Sequence, residues 1–259
     1  MKNASVLEKQ PALGIDPGQI QEINSAALRG VTPFLRRLPP AYAQQFVGQS
    51  SVITEAVAAA LELLLPKRII IPHPEAERWQ KYYRDWYGIT CSLGETEIPT
   101  PHAYPARLIL MHADVSNRPQ RIASVYKKRC ADKWWQWTDN LNAGIPQHIR
   151  SGTYGIWVAD VSEAPDGFDE EQKKNLSSQD TWDRGWITTT LPERLVDGDV
   201  YLLERKEHLD RTVITLCPGS RDVGGVVPSV GLDGDGDVGV RGWDPGDAGG
   251  SLRFRRAIV

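Results

Sequence analysis

The sequence predicts an α+β fold, and three observations indicate it. Several stretches before residue 210 space their apolar residues three and four apart, which is the spacing of amphipathic helices. Short apolar runs at 106–111 and 154–158 interrupt these stretches and predict buried strands. Towards the C-terminus, apolar residues alternate with small ones, and a period of two is typical of strands with one buried face.

At 259 residues the chain is longer than a usual single domain, so two domains are expected. We predict a helix-rich N-terminal domain over residues 1–103, whose role the sequence does not indicate. Its first helices are predicted at 19–28 and 50–65, and the second is followed by a helix-breaking proline. A loop-like stretch at 88–104 marks the predicted domain boundary.

A further helix is predicted over residues 74–86, where four aromatic residues recur on one side. Trp79, Tyr82, Tyr83 and Trp86 lie at positions i, i+3, i+4 and i+7. That spacing favours an aromatic stripe packed into the core. A platform that stacks nucleic-acid bases is the alternative interpretation.

The second domain is predicted over residues 104–259 and mixes both element types. Its second helix is expected to be broken, because Asp197-Gly198-Asp199 favours helix poorly. The tryptophan-rich stretch at 134–137 is expected to join a helix to a sheet, with a ligand cage as the alternative. The predicted elements are, in order, a strand at 106–111, a helix at 118–132, a strand at 154–158, a broken helix at 191–209 and a terminal sheet.

Charge and cysteine content narrow the functional classes. The formal net charge is −3, which gives no electrostatic case for a nucleic-acid or membrane-surface partner. Cys91, Cys130 and Cys217 lie far apart without a CxxC pair, which predicts a reducing compartment and neither a disulfide framework nor a zinc site. No apolar run is long enough for a membrane span. We therefore expect a cytoplasmic protein without a cofactor.

Residues 216–259 differ sharply in composition from the rest of the chain. They hold 11 of the 23 glycines, and no Lys, Glu, Gln, Met, Asn or Tyr occurs after Glu207. A disordered glycine-rich tail would be poor in apolar residues, whereas here valines alternate with glycines at 230–232 and 238–240. The Asp-Gly steps at 233–237 are typical of a hairpin loop. This tract is therefore predicted to be a folded sheet.

The tract also has a codon pattern. Every residue from His208 onward except Trp243 can be encoded by a codon ending in C, whereas Lys, Glu, Gln and Met cannot. This matches a region diversified from an AAC-rich template, which is how diversity-generating retroelements rewrite their target genes. The Asp, Gly, Val, Ser and Arg residues would then occupy substituted Asn positions.

Short motifs between residues 106 and 259 resemble a family of proteins common in candidate-phylum bacteria. Its members look alike outside the C-terminal tract and differ inside it, a pattern similar to the variable proteins of diversity-generating retroelements, which carry a C-type-lectin-like fold. The motifs are YGIWVAD at 154–160, KNLS at 174–177, LPERL at 191–195, KEHLD at 206–210, TLCPGSR at 215–221, and the dipeptides at 227–228, 244–245 and 252–253.

The resemblance implies a fold and a function for residues 104–259. The fold would be C-type-lectin-like, with a small antiparallel sheet, two flanking helices, and a C-terminal strand that returns beside the first strand of the domain. Residues 216–259 would form a hypervariable region that binds a protein or another ligand. The protein would not be an enzyme.

Alternation along strands separates scaffold positions of the tract from exposed ones. Four larger residues, Arg221, Trp243, Arg253 and Arg255, are expected to be partly buried or paired, because a glycine-rich tract needs side chains that pin it. The positions expected to be exposed, to gather on one face and to contact the ligand are Asp222, Val223, Val226, Ser229, Gly231, Asp235, Gly239, Arg241, Asp244, Asp247, Gly249, Ser251 and Phe254.

One alternative function is a metal-assisted hydrolase. His73 and His112 each follow an apolar strand-like run, and with Asp114 they could supply metal ligands or acid–base groups. None of the usual hydrolase or nucleotide-binding motifs accompanies them.

A second alternative is a calcium-stabilised interaction module. Asp233, Asp235 and Asp237, with Asp244 at the twelfth position, imitate part of a calcium-binding loop. The sixth position is Val238 where such loops need glycine, so a simple hairpin turn is favoured.

Overall fold

The computed structural model describes residues 68–100, 106–159, 168–169 and 174–259. The helices predicted at 19–28 and 50–65, with the rest of the chain before residue 68, lie outside these residues. The described part of the chain contains both helices and strands, often in runs of one type, so the predicted α+β class is confirmed.

The described residues form six helices and fourteen strands. The helices are α1 (His73–Tyr87), α2 (Ala113–Ser116), α3 (Pro119–Arg129), α4 (Leu141–Gly144), α5 (Ser178–Asp183) and α6 (Leu191–Arg205). The strands are β1 (Arg68–Ile70), β2 (Glu97–Pro99), β3 (Ala106–Met111), β4 (Trp134–Gln136), β5 (Gln147–His148), β6 (Tyr154–Ala159), β7 (Phe168–Asp169), β8 (Lys174–Asn175), β9 (Ile214–Leu216), β10 (Ser220–Arg221), β11 (Val227–Leu232), β12 (Val238–Trp243), β13 (Leu252–Phe254) and β14 (Ala257–Ile258).

Two sheets organise the fold. The larger has the order β13-β9-β11-β12-β4, and the smaller has the order β14-β6-β3. The C-terminal strand β14 therefore pairs with β6, through Ala257 opposite Val158, and the prediction that it lies beside β3 is wrong. Ile156 and Val158 of β6 are fully buried, and this apolar strand takes the central place with a partner on each edge.

Residues 67–259 form one compact unit, and the boundary predicted at residue 103 falls inside it. The reason is packing across that boundary. Tyr83 of α1 donates a hydrogen bond to the Leu110 carbonyl of β3 at 2.5 Å, and Trp157 of β6 donates one to the Pro99 carbonyl of β2 at 2.8 Å. Helix α1 and strand β2 thus share a core with the strands that follow.

The aromatic stripe of α1 lies in that core, as its spacing predicts. Trp79, Tyr82 and Tyr83 are buried and pack against one another with ring centroids 5.3 to 6.1 Å apart. Trp86 is the exception, because its ring is 44% exposed and stacks under Arg129 at 3.8 Å.

Helix α6 is continuous, so the break predicted at Asp197-Gly198-Asp199 is wrong. Tertiary contacts override the poor local propensity of these three residues. Asp197 accepts a bidentate pair of hydrogen bonds from Arg107 of β3, and Asp199 accepts hydrogen bonds from Arg129 of α3. A Cβ atom at residue 198 would lie 2.5 Å from an Arg194 nitrogen and 2.9 Å from the Tyr126 hydroxyl, so glycine permits the close approach of α3.

Two further charges of α6 are also buried and paired. Glu193 lies between Arg150 and the hydroxyl of Tyr154, both of which donate to its carboxylate at 2.7 to 2.8 Å. Burial alone would raise the pKa of Glu193, but the Arg150 charge and the hydrogen bonds hold it below its usual value. Arg194 pairs with Asp210 at 2.9 Å, and Asp210 also pairs with Arg255.

The paired charges of α6 lead to a stability prediction. Glu193→Gln leaves Arg150 buried without its counter-charge, so we expect the free energy of unfolding to fall by about 3 to 5 kcal/mol. Glu207→Gln is the matched control, because Glu207 and its partner Arg211 are more than half exposed and such pairs contribute about 1 kcal/mol or less. Urea denaturation of both variants measures the difference, and equal losses would contradict the role assigned to Glu193.

Candidate ligand-binding surface

The C-terminal tract contains a folded hairpin. Strands β11 and β12 pair in antiparallel register, with Val230 opposite Val240 and Gly231 opposite Gly239. Val230, Val238 and Val240 are buried in the main core. The prediction of a sheet with alternating valines is therefore confirmed at these positions.

The other side of this sheet, which we call the second face, carries the intervening residues. Register places Ser229, Gly231, Gly239, Arg241 and Phe254 on it. The structure thus brings together five of the thirteen predicted ligand-contacting positions.

Four of these five positions are buried, so the prediction that they are exposed is wrong. They are Ser229, Gly231, Gly239 and Phe254. Ser229 accepts a hydrogen bond from the Trp243 indole at 2.8 Å, and a Cβ atom at Gly231 would lie 3.0 Å from Ile214. Arg241 remains partly exposed.

Phe254 lies in a small second core. Segment 175–186 packs over this core. The alternation of residues within the tract does not predict that packing. The Trp186 ring lies 5.7 Å from the Phe254 ring, and the Trp182 indole donates a hydrogen bond to the Pro218 carbonyl at 3.1 Å. The members of this core are Leu176, Leu216, Val227, Leu252 and Phe254, with Trp182, Trp186, Ile214 and Trp243 packed against them.

The remaining predicted positions lie in three loops of the tract. Val223, Asp235, Asp244, Asp247 and Ser251 are exposed, Val223 to 84%. Asp222, Val226 and Gly249 are partly buried.

These loops do not form one continuous patch. Asp235 lies at one end of the hairpin, whereas Asp244 follows the opposite end of β12, roughly 20 Å away along an extended strand of six residues. The strand positions share one face, but the exposed loop positions are divided between the two ends.

The four residues expected to pin the tract are all partly buried or paired, and this prediction is confirmed. Arg221 stacks on Trp182 at 3.8 Å, and Trp243 bonds to Ser229. Arg253 donates to the Asn175 side chain at 2.7 Å, and Arg255 is buried against Asp210.

The sequence did not single out Trp135 as an exposed residue, yet its side chain is 47% exposed. Strand β4 pairs in parallel with β12, so alternation turns Trp134 towards Tyr126 in the core and Trp135 to the second face beside Gly239. The strand period within 134–137 was the signal that could have separated these two tryptophans.

The residues of the hydrolase alternative do not form a metal site. His73 is exposed beside Glu77, whereas His112 caps α2 by accepting a hydrogen bond from Asp114 N at 3.1 Å. Within the part of the chain that the structure describes, no group of three or more His, Cys, Asp or Glu side chains could hold a metal ion.

The calcium-loop alternative is wrong for a geometric reason. Asp233 accepts hydrogen bonds from Asp235 N and Asp237 N at 3.0 and 2.9 Å, so it closes the hairpin turn. Strand β12 then separates this turn from Asp244, which cannot contribute to the same loop.

His148 of β5 is a partly buried titratable group that pairs with Ser220 near the start of the tract. Its Nδ1 lies 2.7 Å from the Ser220 hydroxyl, which also accepts a hydrogen bond from Leu191 N. Burial lowers the pKa of His148 to about 4, although the charge of Glu193 acts to raise it.

No family model, no curated protein and no solved structure matches the chain. None of the helices in the described ranges is long and apolar enough to cross a membrane.

The lowered pKa of His148 predicts acid sensitivity. The unfolded chain binds a proton at the ordinary histidine pKa near 6.5, whereas the folded protein resists it until about 4, so stability is lost as the pH falls through this window. Between pH 7 and 5 the loss from this group is about 2 kcal/mol. In urea denaturation, His148→Asn should remove this part of the stability lost between pH 7 and 5. His73→Asn, at an exposed histidine, should retain it. Identical pH profiles for the wild type and both variants would contradict the prediction.

Replacing one buried and one exposed serine of the tract tests whether the second face is closed. Ser229→Tyr forces a large ring under Trp243, so we expect a loss of about 1 to 3 kcal/mol in stability. Ser251→Tyr makes the same chemical change at an exposed loop position and should alter stability by within about 0.5 kcal/mol. Equal shifts of the thermal midpoint in the two variants would show that the second face is not closed at Ser229.

Proposed function

We propose that the chain is a ligand-binding protein whose C-terminal tract is diversified by a retroelement. The observation that carries this proposal is the distribution of the tract's residues. Buried valines hold a hairpin, while exposed Val223, Asp235, Asp244, Asp247 and Ser251 lie in the three loops of the tract. Exposed positions on a rigid sheet can change with little cost in stability, which is what repeated diversification requires.

The side-chain contacts of these loop residues support the same proposal. Asp247 bonds within its own loop, by accepting a hydrogen bond from Asp244 N. Among the described residues, no hydrogen bond or ion pair joins the side chain of Asp235, Asp244 or Ser251 to another element. Their replacement would therefore leave the fold's internal contacts unchanged.

A C-type-lectin-like fold is part of the proposal. Three features support it: two helices, α3 and α6, pack together beside the sheets, the hairpin β11–β12 lies within a larger sheet, and the terminal strand β14 returns to the sheet that contains β3. We propose binding of a protein or other ligand as the activity, with no catalytic step.

The DNA that surrounds the gene tests the proposal. We expect a reverse-transcriptase gene nearby, together with a second copy of the DNA that encodes residues 216–259. The two copies should differ at positions where the second copy has adenine. Residues 106–215 are the internal control, because the DNA that encodes them should have no such copy. A missing copy, or differences spread equally over all four bases, would contradict diversification.

A further inference from the structure

Six glycines of the C-terminal tract form two contrasting groups, according to the space around each of them. At three of them, which we call the closed glycines, a Cβ atom would approach a neighbouring segment to between 2.8 and 3.0 Å; they are Gly219, Gly231 and Gly242. At three others, which we call the open glycines, no atom of the described residues would lie closer than 4.0 Å; they are Gly234, Gly246 and Gly250.

Solvent exposure alone does not separate the two groups. Gly242 of β12 is exposed, as all three open glycines are. It is closed because a Cβ atom there would lie 2.8 Å from Val226 Cγ1 and 3.3 Å from the Trp137 ring. Gly231 is closed by the backbone of β9, since Ile214 Cα would lie 3.1 Å away. Packing within the sheet therefore accounts for glycine at these positions.

The backbone does not require glycine at the open positions. Asp247 N donates a hydrogen bond to the Asp244 carbonyl at 2.9 Å, which closes a β-turn with Gly246 at its third position. Such a turn needs glycine there only when that residue has a positive φ, and Gly246 does not have one. In the hairpin turn, the positive φ of +80° belongs to Gly236 and not to Gly234. The fold thus explains the closed glycines but not the open ones.

Two of the open glycines lie in the loop 244–251, whose backbone is held in place. Gln179 N donates to the Pro245 carbonyl at 2.9 Å, and the Asn175 side chain donates to the Gly249 carbonyl at 2.8 Å. Both bonds use backbone carbonyls of the loop, so they do not depend on its exposed side chains. A loop that is already ordered loses less conformational entropy when it binds a ligand.

We propose that the open glycines are specificity-determining positions of the ligand-binding surface, at which larger side chains add contact area. The inference rests on the proposed function, because it assigns the open glycines to diversification and the closed glycines to the scaffold. A tyrosine can bury about 150 to 250 Å², whereas glycine has no side chain to bury. Alternation along strands does not identify these positions, because all three lie in turns or loops.

Thermal denaturation of Gly246→Tyr and Gly242→Tyr tests the physical basis of this division. Both glycines are exposed, and both receive the same side chain. Gly246→Tyr should shift the thermal midpoint by less than about 2 °C. Gly242→Tyr should lower it by about 3 °C or more, because the new ring must displace Val226 or Trp137. Equal shifts in the two variants would overturn the inference.

A display experiment on the full chain tests specificity. One library carries a mixture of Tyr, Ser, Asn and Asp at the open glycines, and the control library carries the same mixture at the closed glycines. Both are selected for binding to labelled lysozyme as the probe. We expect binders from the first library alone, and restoring their glycines should weaken binding about tenfold or more. No binders from the first library, or equal enrichment from both, would overturn the inference.

The second copy of the tract's DNA separates this inference from the proposed function. Codons of the open glycines should have adenine in that copy where the gene has guanine, whereas codons of the closed glycines should be the same in both. The reverse pattern would overturn the inference and leave the proposed function intact. The absence of any second copy would contradict the proposed function and, with it, the assignment of the open glycines to diversification.

Discussion

The pairing of buried charges on helix α6 is the constraint on which the compact unit depends. Glu193, Arg194, Asp197 and Asp199 are all buried, and each bonds to a different part of the chain. A charge left buried without its partner costs several kcal/mol. The strands, the helices and the segment around residue 210 must therefore all be in place before the helix is stable in its position, which favours cooperative assembly of the unit.

This network also holds the C-terminal tract at its two ends. Asp210 lies before β9, and it pairs with Arg194 of α6, with Arg255 after β13 and with the hydroxyl of Thr215. Both ends of the terminal sheet are thereby attached to the same buried group. The loop residues between them are not part of the network, so changes there leave its charges paired. The paired charges that hold the sheet are thus separate from the exposed residues of its loops.

The local period of apolar residues predicts the structure correctly where burial follows the same period. Val230 and Val240 alternate with small residues and face each other in the sheet, because a strand period needs only neighbouring residues to be recognised. The local period does not predict the structure where contacts with distant segments determine it. The Asp-Gly-Asp step of α6 is helical because of ion pairs with β3 and α3, and Ser229 is buried because Trp243 folds over it. Neither partner can be read from the residues that flank these positions.

The division between the two sheet faces sets a physical limit on variation in the tract. Positions such as Gly231 and Ser229 have no room for large side chains, so only the loops and the edge near Arg241 can accept them. A surface of Asp, Gly, Ser and Val offers little contact area, because each of these side chains buries less area than an aromatic side chain does. Trp135 lies on a neighbouring strand outside the tract, and its side chain is 47% exposed opposite Gly239.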